Sequence, residues 1–150
     1  MASRRTGKAP ATDVRVAASA RCPLRPAGVA ALARAVLRQE RAPLAALSIT
    51  FVGATRIRTL NRRHLGRDRA TDVIAFTLGS LAGDVYVCVS AARAQAARYG
   101  VTPREELRRL VIHGVLHVLG HDHPAGASRE RGAMWRRQER YLARFGRLAT

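Results

Sequence analysis

The stretch that decides the reading of this chain is Thr102–His123, TPREELRRLVIHGVLHVLGHDH. It opens as helices open. Thr102 suits an N-cap, Pro103 suits the first helical position, where its missing N–H costs nothing, and Glu105 stands at the third position of a capping box. It closes at Gly120, because glycine enters the left-handed conformation that ends a helix and turns the chain. The helix therefore runs from Pro103 to about Leu119. Four of the chain's five histidines fall within His113–His123. His113 and His117 are four residues apart, so on a helix both imidazoles leave one face and can share one ion. The turn at Gly120 can return His123 over that face as a third ligand. Three neutral imidazoles leave one tetrahedral position open, and open sites hold water or substrate where closed four-ligand sites are structural. The pattern is that of a hydrolytic metal site, and zinc, one ion per chain, is the metal it suits. His121 has three open readings: a solvent-facing ring, a substrate contact, or a rival third ligand. Asp122 has two, orienting a ligand imidazole or capping the turn.

The spacing His-x3-His-x2-Gly-x2-His is also that of the metzincin proteases. Those enzymes carry a glutamate general base directly after the first histidine. Here that residue is Gly114, which takes no proton, so a metallopeptidase loses its base where the motif requires one.

Working outward, the elements alternate. Asp13–Ala18 reads as a strand by weak alternation. Ala27–Arg41 has Val29, Leu32, Ala33, Val36 and Leu37 on one helical face and is closed by Pro43. Leu47–Gly53 is β-branched and alternating, hence a strand. Ala54–His64 is a helix with Ile57 and Leu60 inward and arginines elsewhere, and residues 66–70 form a charged loop. Thr71–Leu78 and Asp84–Val89 are strands joined by a short glycine-bearing turn, which predicts an antiparallel hairpin. Ser90 suits the N-cap of a helix over 91–99 that Gly100 ends. After a Pro/Gly/Ser loop over 124–128, a last amphipathic helix spans about 129–145, with Met134, Gln138, Tyr141, Leu142 and Phe145 on one side. This order predicts a single-domain α/β or α+β protein, with a mixed sheet of about four strands surrounded by helices. A basic flexible tail is expected over residues 1–12 and one domain over 13–150.

Composition narrows the function classes. The 150 residues match about one domain. Hydrophobic residues make up 47%, enough for a core, while aromatics at 5% leave that core to Leu, Val, Ile and Ala. No apolar run approaches the roughly 18 residues of a membrane span, and the N-terminal residues lack the apolar stretch of a secretory signal. Residues 2–10 are basic and free of acid, and a short frayed tail describes them better than a transit peptide. Cys22 and Cys88 form no CxxC or metal pattern, consistent with buried or idle thiols in a reducing, cytoplasmic compartment. Lys and Arg number 27 against 10 Asp and Glu, a net charge of +17, and all but Lys8 are arginine. Arginine and alanine together also follow from genomic base composition. As a physical field, such a surface favours a polyanion, because guanidinium pairs with phosphate in bidentate fashion.

The segment HGVLHVLGHDH resembles the signature of the YbeY family, bacterial rRNA maturation endoribonucleases, written H-G-x-L-H-L-x-G-Y-D-H. Val118 stands for Leu and His121 for Tyr. Asn61 followed by Thr71-Asp72-Val73-Ile74-Ala75-Phe76 resembles the family's N…TDVLSF segment, with Ala75 in place of Ser. Gly83-Asp84 resembles its strand start, and Met134-Trp135 with Gln138-Glu139 resembles its C-terminal helix. Residues 13–146 are covered in order. The resemblance implies a metal-dependent single-strand endoribonuclease acting in rRNA processing, notably at the 3′ end of 16S rRNA, and in ribosome quality control. It implies zinc on His113, His117 and His123, in a cleft beside a mixed sheet, and the 16S rRNA precursor and small ribosomal subunit as partners. The family's arginine before the loop glycine is Leu65 here, with Arg63 and Arg67 the neighbouring guanidiniums able to bind substrate in its place. Without a carboxylate at 114, the proton acceptor is metal hydroxide, another side chain, or the RNA 2′-hydroxyl system. A different class remains beside this one: a non-catalytic ribosome- or RNA-binding assembly factor with a structural metal site, to which Leu65 and the high charge give weight.

Overall fold

The computed structural model describes residues 11–123 and 132–150. Its elements follow the expected order: β1 (Asp13–Ala18), α1 (Pro26–Gln39), β2 (Ala46–Val52), α2 (Ala54–Leu65), β3 (Val73–Leu78), β4 (Ala82–Cys88), α3 (Val89–Tyr99), α4 (Pro103–Val118) and α5 (Ala133–Phe145), then a short 3-10 turn over Gly146–Leu148. The expected loop over 124–128, the start of the last helix at 129 and most of the N-terminal tail lie outside the described residues. At the edge of that tail, the Thr12 hydroxyl donates to the Leu44 carbonyl.

The four strands form one mixed sheet in the order β1-β2-β4-β3. β1 runs parallel to β2 and β2 parallel to β4, whereas β3 pairs antiparallel to β4 as the hairpin signal predicts. In register, Val16 faces Ile49, Ile49 faces Val85 and Val85 faces Ala75. Because strand side chains alternate, each strand supplies both faces of the sheet. Leu47, Ile49 and Phe51 of β2 and Val85 and Val87 of β4 belong to the main core, which α1, α4 and α5 cover. The opposite face holds a small cluster, Ile74, Cys88 and Val52 with Ile57 and Leu60 of α2.

α4 lies against β3 and β4, and from Leu110 to Leu116 every residue is buried. Leu107, Val111, Ile112, Val115 and Leu116 have no exposed surface, and each such side chain contributes about 1.5–3 kcal/mol by leaving water. Close approach decides Gly114. A Cβ there would overlap Val85 Cγ1 and press on Val73. The residue that strips the peptidase pattern of its base is thus also the one that lets helix and sheet meet; a glutamate has no room.

Three local expectations change. β4 ends at Cys88 and α3 begins at Val89 with no intervening loop, so Ser90 falls inside the first turn and is not the N-cap. Its hydroxyl sits 3.3 Å from Cys88 Sγ. α1 stops at Gln39 because Arg41 adopts φ 51, ahead of Pro43. At α4, Thr102 Oγ1 accepts from the Glu105 N–H at 3.1 Å, but the Glu105 carboxylate accepts from Arg109. The capping box is therefore half made. Cys22 is half-buried, Cys88 is buried, and both are free thiols. No helix among the described residues is long and apolar enough to cross a membrane.

Candidate metal centre

α4 delivers His113 and His117 from its last two turns. The chain leaves the helix at Leu119, and Gly120 takes φ 92, so the backbone doubles back as the glycine predicts. That return brings His123 beside the first two. One ring nitrogen from each of the three histidines lies within 4.8 Å of the others. The Nε2 atoms of His113 and His117 are 2.9 Å apart, against the about 3.3 Å that two nitrogens bound at about 2.05 Å keep around a tetrahedral ion. The donor set fits one borderline divalent ion: three imidazoles, no fourth protein ligand among the described residues, and hence an open position.

The protonation pattern suits that role. His113 Nδ1–H donates to Gln138 Oε1 at 2.6 Å, inside a buried pair, which fixes the tautomer and leaves Nε2 with its lone pair toward the cluster. Burial pushes the His113 pKa down to about 4, and the neighbouring His117 and His123 push the same way. Burial lowers His117 too, with His123 adding to it. Both rings are thus neutral at pH 7, the state that binds a cation.

The sequence placed the three histidines correctly as neighbours, but it missed two residues that hold one of them and the turn beside them. Gln138 is the partner of His113. It is 1% exposed, the one amide on the apolar stripe of α5, and that isolation was its signal. The second is Glu40, at the end of α1. Its carboxylate accepts from His121 Nε2, from Arg137 at 2.7 Å and from the Tyr141 hydroxyl at 2.6 Å. Burial alone would raise the Glu40 pKa; the bonds from Tyr141 and His121 and the Arg137 charge outweigh it and hold the carboxyl below its ordinary value. His121 stands outside the three-histidine group, and its ring, 31% exposed, is tethered to Glu40. Asp122 caps the turn, its Oδ1 accepting from the His123 N–H at 2.8 Å.

Arg63 and Arg67 are exposed at the end of α2 and in the following loop. Neither lines the cavity beside His113. Of the six arginines between Ala54 and Ala70, Arg58 and Arg62 are drawn to Asp68, the only acid there. Arg63 and Arg67 have no acidic partner among the described residues. Asn61, buried, donates to the Arg69 carbonyl at 2.9 Å and so pins this loop. Arg67 precedes Asp72, which lies in the cavity wall with His113, by five residues, a reach of up to about 18 Å. Leu65 is 51% exposed on the same segment.

Fold and site together define an α+β protein with an open three-histidine cluster, a donor set suited to metal-assisted hydrolysis. The family described as Endoribonuclease YbeY matches residues 23–146. The chain belongs to that family. Among curated relatives, the Endoribonuclease YbeY of Geobacillus kaustophilus is 39% identical over 68% of this chain and 74% of its own. That of Desulfitobacterium hafniense is 37% identical over 78% of this chain and 82% of its own. The solution structure of a Thermotoga maritima protein superposes with a TM-score of 0.62 at 26% identity, covering 86% of each chain.

Proposed function

We propose that this chain is a zinc-dependent endoribonuclease. It cuts single-stranded RNA in rRNA processing, notably at the 3′ end of 16S rRNA, and serves ribosome quality control. The observation that carries the reading is the convergence of one ring nitrogen each from His113, His117 and His123 within 4.8 Å, in a chain whose net charge is +17. In it, the three histidines are the zinc ligands. A bound divalent ion supplies a Lewis acid for a phosphoryl oxygen and lowers the pKa of a water. The chain's own residues do the rest. Gln138 holds the His113 ring so that Nε2 faces the cluster. Arg63 and Arg67 hold the RNA backbone by phosphate contacts, positioning it without reading bases. Gly114 leaves no carboxylate to serve as a peptidase base. The same reading puts the protein in the cytoplasm, with the 16S rRNA precursor and the small ribosomal subunit as partners.

The test is cleavage of a single-stranded 16S 3′ precursor by purified protein, with elemental analysis, for wild type, His113→Ala and His117→Ala. The expected result is about one zinc per chain and cleavage in the wild type, with both lost in the variants. Equal cleavage by all three without bound metal sinks the reading. Bound metal, tight rRNA binding and no cleavage would point instead to an assembly factor with a structural ion.

A further inference from the structure

A cavity of about 180 Å³ adjoins the histidine cluster, between the end of α3 and helices α4 and α5. His113 and Gln138 form the wall it shares with the metal centre. Its other walls have a different character. Tyr99 and Trp135 contribute aromatic rings, and Leu110 contributes an aliphatic surface. Tyr99 is 54% exposed, a large ring that the core does not use. Three charged residues complete the lining: Asp72, Arg109 and Glu106, the last only 3% exposed. Its Oε2 accepts from Arg109 Nη1 at 2.6 Å, while no described residue donates to Oε1. No buried side-chain oxygen among the described residues lacks a partner, so Oε1 keeps open surface at the cavity that Glu106 lines, where an arriving donor can meet it.

The chemistry of these walls excludes a phosphate and favours a flat, neutral ring. Arg109, the one arginine in the lining, is already paired with Glu105, Glu106 and Glu139, which leaves the Glu106 and Asp72 carboxylates to repel an anion. The volume is below the about 300 Å³ at which drug-sized ligand pockets begin, so it suits one ring system better than a whole nucleotide. Aromatic side chains stack on the faces of unpaired bases whatever their sequence, and a carboxylate selects among bases by accepting from an exocyclic amino group. Burial raises the Glu106 pKa in spite of the Arg109 hydrogen bond and charge, with Asp72 and Glu139 adding to the rise.

We infer that this cavity is a base-binding subsite: it takes one unpaired, amino-bearing nucleobase of the RNA against Tyr99 and Trp135, with the amino group donating to Glu106 Oε1. The inference rests on the RNA-cleaving function proposed above and adds sequence selectivity to it. Adenine, cytosine and guanine carry the donor. Uracil presents carbonyl oxygen instead, which the carboxylate repels.

Trp135 is the chain's only tryptophan, so its fluorescence reports the cavity directly. The experiment titrates zinc-loaded protein with 2′-O-methyl pentamers of uridine in which only the central base changes, in parallel with cleavage of the matching unmodified RNAs. Pentamers with central adenine, cytosine or guanine should quench Trp135 and bind about tenfold tighter than all-uridine. Glu106→Gln should shrink that ratio to below about twofold. Tyr99→Ala, a change at an exposed residue that leaves the core intact, should weaken the amino-bearing pentamers and leave all-uridine unchanged. Equal binding of all four pentamers by wild type overturns the subsite, as does a ratio that survives both substitutions. Cleavage that continues without base discrimination overturns the subsite alone. Base discrimination without cleavage of any RNA overturns the nuclease proposal and leaves the pocket standing.

Discussion

The two faces of the sheet are built to different standards. On one, β2 and β4 side chains, α1, α4 and α5 form a continuous apolar core, and the histidine cluster stands at its margin, two rings on its most deeply buried helix and His123 just beyond that helix. On the other, α2 covers a cluster of five buried residues, and every residue from Arg62 to Ala70 is exposed. The contrast follows what each face does. Holding three nitrogens at fixed separations needs a dry, close-packed support, because a ligand displaced by an ångström no longer shares the ion. Holding a polyanion needs charge at a surface, and a thin core underneath suffices.

The contrast can be broken from the packed side with the largest effect. Gly114→Ala would drive a methyl into Val85 and lift α4 from the sheet; a loss of about 3 kcal/mol or more is expected in urea unfolding. A smaller loss would show that α4 floats on the sheet. Leu116→Ala and Leu60→Ala sharpen the comparison, since both remove a leucine. Leu116 has no exposed surface and sits in the large core, whereas Leu60 is 7% exposed in the small one. Losses of about 3–5 and about 2 kcal/mol are expected, and equal losses would erase the distinction.

Acid should strike the packed side as well. The His113 pKa is about 4 when folded, held down by burial, against 6.5 for the ordinary group. Between those values the unfolded metal-free chain binds the proton and the folded one does not, so stability falls as pH drops from 6.5 toward 4. Unfolding curves of metal-free protein across that window should show a decline of up to a few kcal/mol, flattened in His113→Gln. Gln138→Ala should then weaken zinc about 10–100-fold in a competition titration with a chelator, since the ring it orients becomes free to turn. The thin side gives the smallest effects on the fold. Arg63→Ala and Arg67→Ala should leave stability within about 0.5 kcal/mol. Each should reduce the slope of log affinity for single-stranded RNA against log salt by about 0.7. Unchanged slopes would take both residues out of the RNA contact.

What was legible in the sequence was what is local. The spacing of His113, His117 and His123 lies within one helix and one turn, and the glycine that bends the chain stands between them. The hairpin and the order of elements were legible for the same reason: period and turn chemistry act over a few residues. Ser90 misled because its residue type suits a cap, while the absence of a loop between β4 and α3 is a property of backbone path. Gly114 was visible as a missing base, yet its packing against Val85 depends on a strand almost thirty residues away in sequence. Gln138 half showed itself as an amide among apolar residues. Glu40 gave no sign at all, because its bond to His121 spans 81 positions.

That bond has a consequence for the entropy of ion capture. Glu40 gathers the end of α1, His121 on the ligand-bearing turn, and two side chains of α5 on one carboxylate. The turn can swing away from α4 only by giving up contacts with two other helices. Most of the freedom that His123 would otherwise lose on meeting an ion has therefore been surrendered already, when the chain folds. Grip is gained by preorganisation without a fourth ligand, and the open coordination position that hydrolysis requires is kept.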